Sequence, residues 1–136
     1  MDLLPVAAGT GCGIGPNGTP TIWAEDPPRQ GLPFTWKEAN LSPGSGAFLI
    51  LDSVNFLPGG IDVFLLAGPI VAPGTCFLYT GLTTLASIGA ADPNGDLSVT
   101  LPVPAGSAGT VYLQSFQIGP GLTILMTPVL PLTILP

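Results

Sequence analysis

The sequence predicts an all-β fold, a single antiparallel β-sandwich of Ig-like or jelly-roll-like type spanning residues 1–136. Three observations carry that expectation. Apolar residues alternate with polar ones in short runs such as Leu97-Ser98-Val99-Thr100-Leu101, which puts every second side chain on one face of a half-buried strand. Clusters of Gly, Pro, Asn and Asp separate the runs at the spacing of a many-stranded β domain. No stretch of useful length keeps a helical period free of Gly or Pro, so no helix is expected.

Taken in order, residues 2–8 are a short apolar start, either a strand or an arm. Residues 9–18 are too glycine-rich to be regular and form a loop tethered by Cys12. Residues 20–25 read as a strand ended by Asp26-Pro27-Pro28. In residues 32–39, Phe34, Trp36 and Glu38 share one face, and Thr35 and Lys37 share the other. A turn at residues 42–46 leads into Ala47-Phe48-Leu49-Ile50-Leu51-Asp52, an unbroken apolar run of the kind found in central strands. Leu57-Pro58-Gly59-Gly60 turns the chain into residues 61–66, and residues 67–74, with two prolines, lead to Cys76.

Residues 75–118 are expected to organise the rest, as three strands and two turns. The first strand is the aromatic-rich stretch 76–80. Ala91-Asp92-Pro93-Asn94-Gly95-Asp96 then combines a fixed φ at proline with residues that tolerate positive φ, and so makes a turn. The strand 96–101 follows, a connection occupies 102–109, and the third strand is 111–118. Gly119-Pro120-Gly121 turns the chain into 122–126. The tail, residues 127–136, is strongly apolar yet carries prolines, which edge strands tolerate and central strands do not. It is read in two ways: as the last strand of its own sheet, or as an arm laid on a neighbouring subunit.

Charge is the unusual quantity. Two basic residues, Arg29 and Lys37, stand against eight acidic ones, and only 7% of the chain is charged, where about a quarter is ordinary. A phosphate-contacting surface cannot be assembled from two cations, so nucleic acid is excluded as a partner. Attraction to an anionic lipid surface fails for the same reason. With mean hydropathy +0.61, the exterior is expected to be apolar and to pack against copies of the same chain. The alternative is a free domain coated in Ser, Thr, Asn and Gly. Residues 63–78 and 121–136 are uncharged, but each is shorter than the about 20 residues a spanning helix needs and is broken by Pro or Gly, so no membrane span is expected. Met1-Asp2-Leu3-Leu4 lacks a basic n-region and a long apolar stretch; an exported chain is then read here in processed or recombinant form.

Cys12 and Cys76 are the two cysteines. With zero histidines a zinc site is implausible. The pair is read as a disulfide closing a 64-residue separation, or else as two small buried hydrophobes.

The absence of histidine also removes Ser-His-Asp and Cys-His catalysis. Lys37 reads as a surface charge. Glu25 and Asp26 are adjacent and so point to opposite faces, which does not suit paired-carboxylate hydrolysis. Asp92, Asn94 and Asp96 alternate as calcium ligands can, but lack the rest of a binding loop, and turn formation explains them better. Residues 9–15 imitate a phosphate loop without its Lys-Ser/Thr or its βαβ setting. Trp23, Trp36, Tyr79 and Tyr112 form either a sugar-stacking platform or core. No catalytic residue, cofactor or metal is expected.

Several motifs together carry a resemblance. They are Gly9-Thr10-Gly11-Cys12 with Thr19-Pro20-Thr21, Pro28-Arg29-Gln30-Gly31 with Phe34-Thr35, and Ala47-Phe48-Leu49-Ile50-Leu51. Cys76-Phe77-Leu78-Tyr79, Leu101-Pro102-Val103-Pro104 and Val111-Tyr112-Leu113-Gln114 complete the series. Across most of its length the chain resembles a β-sandwich module of large secreted bacterial proteins, often placed near their C-termini. That resemblance implies an exported, disulfide-containing sandwich and brings no catalytic residues.

The functional expectation is a non-enzymatic extracellular or cell-surface structural protein that self-assembles into a filament or surface layer by strand exchange. The subunit-contacting arms would be residues 1–8, through Leu3, Leu4 and Val6, and residues 127–136, through Val129, Leu130, Leu132, Ile134 and Leu135. The rival is a carbohydrate-binding or adhesion module of a larger secreted protein.

Overall fold

A computed structural model describes residues 4–13, 18–63, 76–82, 84–118 and 124–136. Among these residues there is no helix, and the strands are β1 (Thr21–Trp23), β2 (Pro33–Ala39), β3 (Gly46–Asp52), β4 (Ile61–Asp62) and β5 (Phe77–Leu78), followed by β6 (Thr84–Ala90), β7 (Leu97–Pro102), β8 (Gly109–Ile118), β9 (Ile124–Met126) and β10 (Leu130–Ile134). The all-β expectation holds. Every strand pairing is antiparallel.

One sheet runs β1-β2-β7 and a larger one β10-β8-β3-β6, with β9 also on β8; β4 and β5 pair separately. The period-two alternation explains how the first two sheets pack together. Phe34 and Trp36 on β2, Ile22 on β1 and Val99 on β7 bury against Leu49 on β3, Leu113 on β8 and Leu130 and Leu132 on β10. The outward face of β2 and β7 is polar, and there Thr35 Oγ1 and Thr100 Oγ1 meet across the strands at 2.6 Å. Glu38 lies inward with Phe34 and Trp36, as the alternation requires.

The unbroken apolar run of β3 has a physical reason: both faces of the larger sheet are covered. Leu49 faces the first cluster, whereas Ile50 belongs to a second with Cys12, Val63, Cys76, Leu78 and Met126. Cys12 and Cys76 form a disulfide, which ties the N-terminal loop to the β4–β5 pair over that second face.

The organising stretch differs from expectation in one element. The strand entering the Asp92-Pro93-Asn94-Gly95 turn is β6, a strand the sequence reading passed over, and not residues 76–80, of which only Phe77 and Leu78 are strand. The turn itself forms as expected. Asp92 Oδ1 accepts from Asn94 N at 2.8 Å and Asp96 N at 3.0 Å, and Gly95 takes φ +82°. This turn carries the chain from the larger sheet (β6) to the smaller one (β7).

The prolines of the tail also act physically. β9 and β10 both pair β8, Met126 opposite Phe116 and Leu130 opposite Leu113. Three residues, 127–129, therefore oppose two, 114–115, as in a bulge. Pro128 has no N–H to give a ladder, and side chains replace it. Thr127 Oγ1 accepts from Ser115 N at 3.1 Å, and Gln114 Nε2 donates to Thr127 O at 2.9 Å.

The two arms meet each other within one chain. Ala8 bridges Val129 and Cys12 bridges Met126, while Arg29 bridges Leu135 further along the same edge. Within this single chain the tail is an outer strand of the larger sheet. Val129, Leu130 and Leu132 are buried in their own chain, and the side chains of Leu130 and Leu132 complete the first cluster. Ile134 and Leu135 are half-buried. Leu4 and Val6 remain exposed, at 54% and 75%; Leu3 lies outside the described residues. Among the described residues no helix is long and apolar enough to cross a membrane.

Candidate functional site

Catalytic chemistry needs polar side chains gathered where a substrate can reach them. The polar side chains gathered most tightly here are interior and bonded to backbone. Gln117 Oε1 accepts from Ser42 N at 2.7 Å, and its Nε2 donates to Ser45 O at 2.9 Å. Thr80 Oγ1 donates to Tyr112 O at 3.0 Å. These contacts hold turns against the sheet. Among the described residues no three His, Cys, Asp or Glu side chains come together as metal ligands.

Among the described residues the one buried carboxyl is Glu38, only 1% exposed. Trp36 Nε1 donates to its Oε2 at 2.8 Å. Ser115 on β8 lies near enough to favour the charged form, yet neither Ser115 Oγ nor Glu38 Oε1 completes a hydrogen bond. Burial pushes the carboxyl above its ordinary value, against the smaller opposing pulls of Ser115 and Trp36. The folded chain then binds this proton more tightly than the unfolded chain. Its stabilising contribution is full below the ordinary value of 4.5 and is lost as pH rises through the folded value. Glu38→Gln keeps an acceptor for the Trp36 indole and removes the charge. We expect thermal melts to show the variant close to the parent at pH 4 and more stable at pH 8, because the buried charge and its desolvation cost are gone.

Lys37 is a surface charge, as expected, and its Nζ meets Glu25 Oε1 at 3.0 Å; an exposed pair of this kind contributes at most about 1 kcal/mol. Of the aromatic candidates, Trp36 is core at 1% exposed and Tyr79 is buried, with its hydroxyl accepting from Thr10 N at 3.1 Å. Trp23 alone has an exposed ring face, at 39%, beside a shallow recess of about 280 Å³ shared with Lys37, Asp92 and Asp96. A second recess of about 420 Å³ lies where the two larger sheets part near the connection 102–108. Its lining includes the Phe34, Trp36, Leu49 and Leu113 core, and among the described residues Ser107 is its one hydroxyl and it has no charged side chain.

What remains as candidate sites are sheet edges and exposed apolar side chains. Leu4, Val6, Leu32, Val54, Leu82, Leu85 and Ile118 are each at least 46% exposed. The outer edge of β9 and β10 is occupied by Ala8, Cys12 and Arg29, and β1 is only three residues long. β6 is different. It is the other outer strand of the larger sheet, it holds neither charge nor proline, and six of its seven residues are exposed. The sequence reading missed it because its small residues Ala86, Ser87, Gly89 and Ala90 show no alternation; the available signal was an uncharged Thr-Leu-Ala-Ser-Ile run ending at a turn.

Comparison with known proteins returns nothing: no family model, no curated protein and no solved structure matches the chain.

Proposed function

We propose that this chain is a non-enzymatic structural protein of the extracellular space or cell surface, and that it works by assembling with copies of itself into a filament or surface layer. The observation that carries the reading is the pairing of exposed leucines, valines and isoleucine with an exterior that has two cations in all. An exterior with so few charged groups is best hidden against another apolar surface. The Cys12–Cys76 bond supports an oxidising compartment. Strand exchange in this reading uses residues 4–7, whose Leu4 and Val6 are exposed and lead directly into the Ala8 bridge.

The experiment is sedimentation and negative-stain microscopy of the wild type and of a Leu4→Asp, Val6→Asp double variant, with melts to check folding. The wild type is expected to form polymers. The variant is expected to stay folded, since both sites are exposed, and to stop at small oligomers. Unchanged polymers would remove the arm from the interface, and a wild type that stays a solitary particle at all concentrations would refute assembly.

A second reading, a carbohydrate-binding or adhesion module, is favoured by one observation, the exposed Trp23 ring beside Lys37, Asp92 and Asp96. It predicts a monodisperse monomer whose Trp23 fluorescence is quenched by glycans.

A further inference from the structure

We infer that the outer edge of β6 is a self-complementary interface, on which a second copy of this chain adds its own β6 antiparallel about a two-fold axis. The inference rests on the assembly reading and names its contact.

The argument begins with backbone groups. An outer strand presents a row of N–H and C=O groups that need partners, and proteins guard such rows with charge, proline, short length or cover. Each other edge of the two larger sheets has such a guard. β9 and β10 are covered by residues 8, 12 and 29 and carry Pro131. β1 is three residues long. β7 carries Pro102. β6 has seven residues, no charge and no proline, and among the described residues its backbone bonds run to β3 alone. The one irregularity, the register shift opposite Ala47 and Phe48, falls toward its C-terminal end and leaves Thr84 to Ser87 regular.

The occupant follows from symmetry and charge. Two antiparallel strands related by a two-fold axis lie side by side only when the axis is normal to the sheet; the residue on the axis then meets its own counterpart, and its neighbours pair crosswise, Thr84 with Ala86 when the axis passes at Leu85. We place the axis at Leu85, the large exposed apolar side chain of the strand at 61%, so that it opposes Leu85 of the other copy at the separation where cross-strand apolar pairs interact. Like charges meeting in this way would forbid the pairing; a run of Thr, Leu, Ala and Ser permits it. A net charge of −6 disfavours two copies approaching in most orientations, whereas this edge brings no charge to the contact. Such an isologous contact closes at two copies, so growth beyond a dimer falls to the separate arm contact of Leu4 and Val6.

The test uses the full chain in analytical ultracentrifugation and non-reducing electrophoresis. Cys12 and Cys76 are already bonded, so Leu85→Cys supplies a new thiol of its own. It is expected to oxidise to a covalent dimer, because like meets like at this axis. Leu85→Lys is expected to weaken dimerisation at least tenfold while melting within a degree or two of wild type. If the wild type assembles while Leu85→Lys leaves assembly unchanged and Leu85→Cys stays monomeric under oxidation, the β6 contact is wrong and assembly survives. If the wild type does not self-associate, both fall. Should Leu85→Lys prove unfolded, the Leu85→Cys cross-link decides alone.

Discussion

Replacing both Cys12 and Cys76 by alanine is expected to cost about 4 kcal/mol and to lower the melting temperature by roughly 10–15 °C. The larger part comes from the unfolded chain. A bond across a 64-residue separation denies that chain a large set of open conformations, and its loss restores them. The native state loses something as well. The two cysteines are 6% and 3% exposed and sit in the second apolar cluster with Ile50, Leu78 and Met126. Without the bond, the N-terminal loop stays on the sheet only through its bridges at residues 8 and 12. The damage should therefore be one-sided. Trp36 lies in the first cluster, between the two larger sheets, and its fluorescence should report a native environment after the second face has loosened. Melts of the double variant, and of wild type with and without reductant, check both the size of the loss and this order. A melting temperature within about 3 °C of wild type would mean that the bond only decorates a cover already held by packing.

How much of this was legible beforehand depends on which physical signal each element carries. β2 could be read completely, because one face is core and the other is solvent, and that contrast is written as alternation in Phe34, Thr35, Trp36, Lys37 and Glu38. β3 could be read as central because an apolar run with no polar face needs cover on both sides, which the two clusters supply. β6 could not be read. Its face is largely exposed and its side chains are small, so the pattern that marks a half-buried strand is missing. The tail was legible as an edge strand from its prolines, but its owner was not. An apolar strand with unpaired backbone reads the same whether it closes its own sheet or another copy's. Within this chain that edge meets Ala8 and Cys12, which pair residues 129 and 126 from more than a hundred positions away. The candidate interface was thus hidden for the same reason it is a candidate: a strand that buries little leaves little periodicity.

The same long-range closure makes Gln114 the residue whose replacement should be felt most after the disulfide. Gln114→Leu conserves volume and adds apolar surface at a fully buried position, so hydrophobic transfer alone would make it stabilising by about 1–2 kcal/mol. Hydrogen bonding argues the other way. Gln114 Oε1 accepts from Tyr79 N, and its Nε2 donates to both Phe77 O and Thr127 O, each at 2.9 Å. One side chain on β8 thereby satisfies β5 on one side and the Pro128 interruption on the other. Leucine leaves an N–H and two C=O groups without these partners, at about 1–3 kcal/mol for each group left buried and unbonded. The penalty exceeds the gain, and the net loss should be at least about 1 kcal/mol and up to several. Gln114→Glu separates the causes. At pH 7 its carboxylate can still accept from Tyr79 N but faces two carbonyl oxygens with no hydrogen to offer, so it should be worse than leucine. Protonation restores one donor, so this variant should recover stability as pH falls, and Gln114→Leu should not. Urea unfolding of the two variants at pH 4 and pH 7 measures the difference. A leucine variant as stable as the parent would show that the bulge at residues 127–129 needs no side chain to complete it.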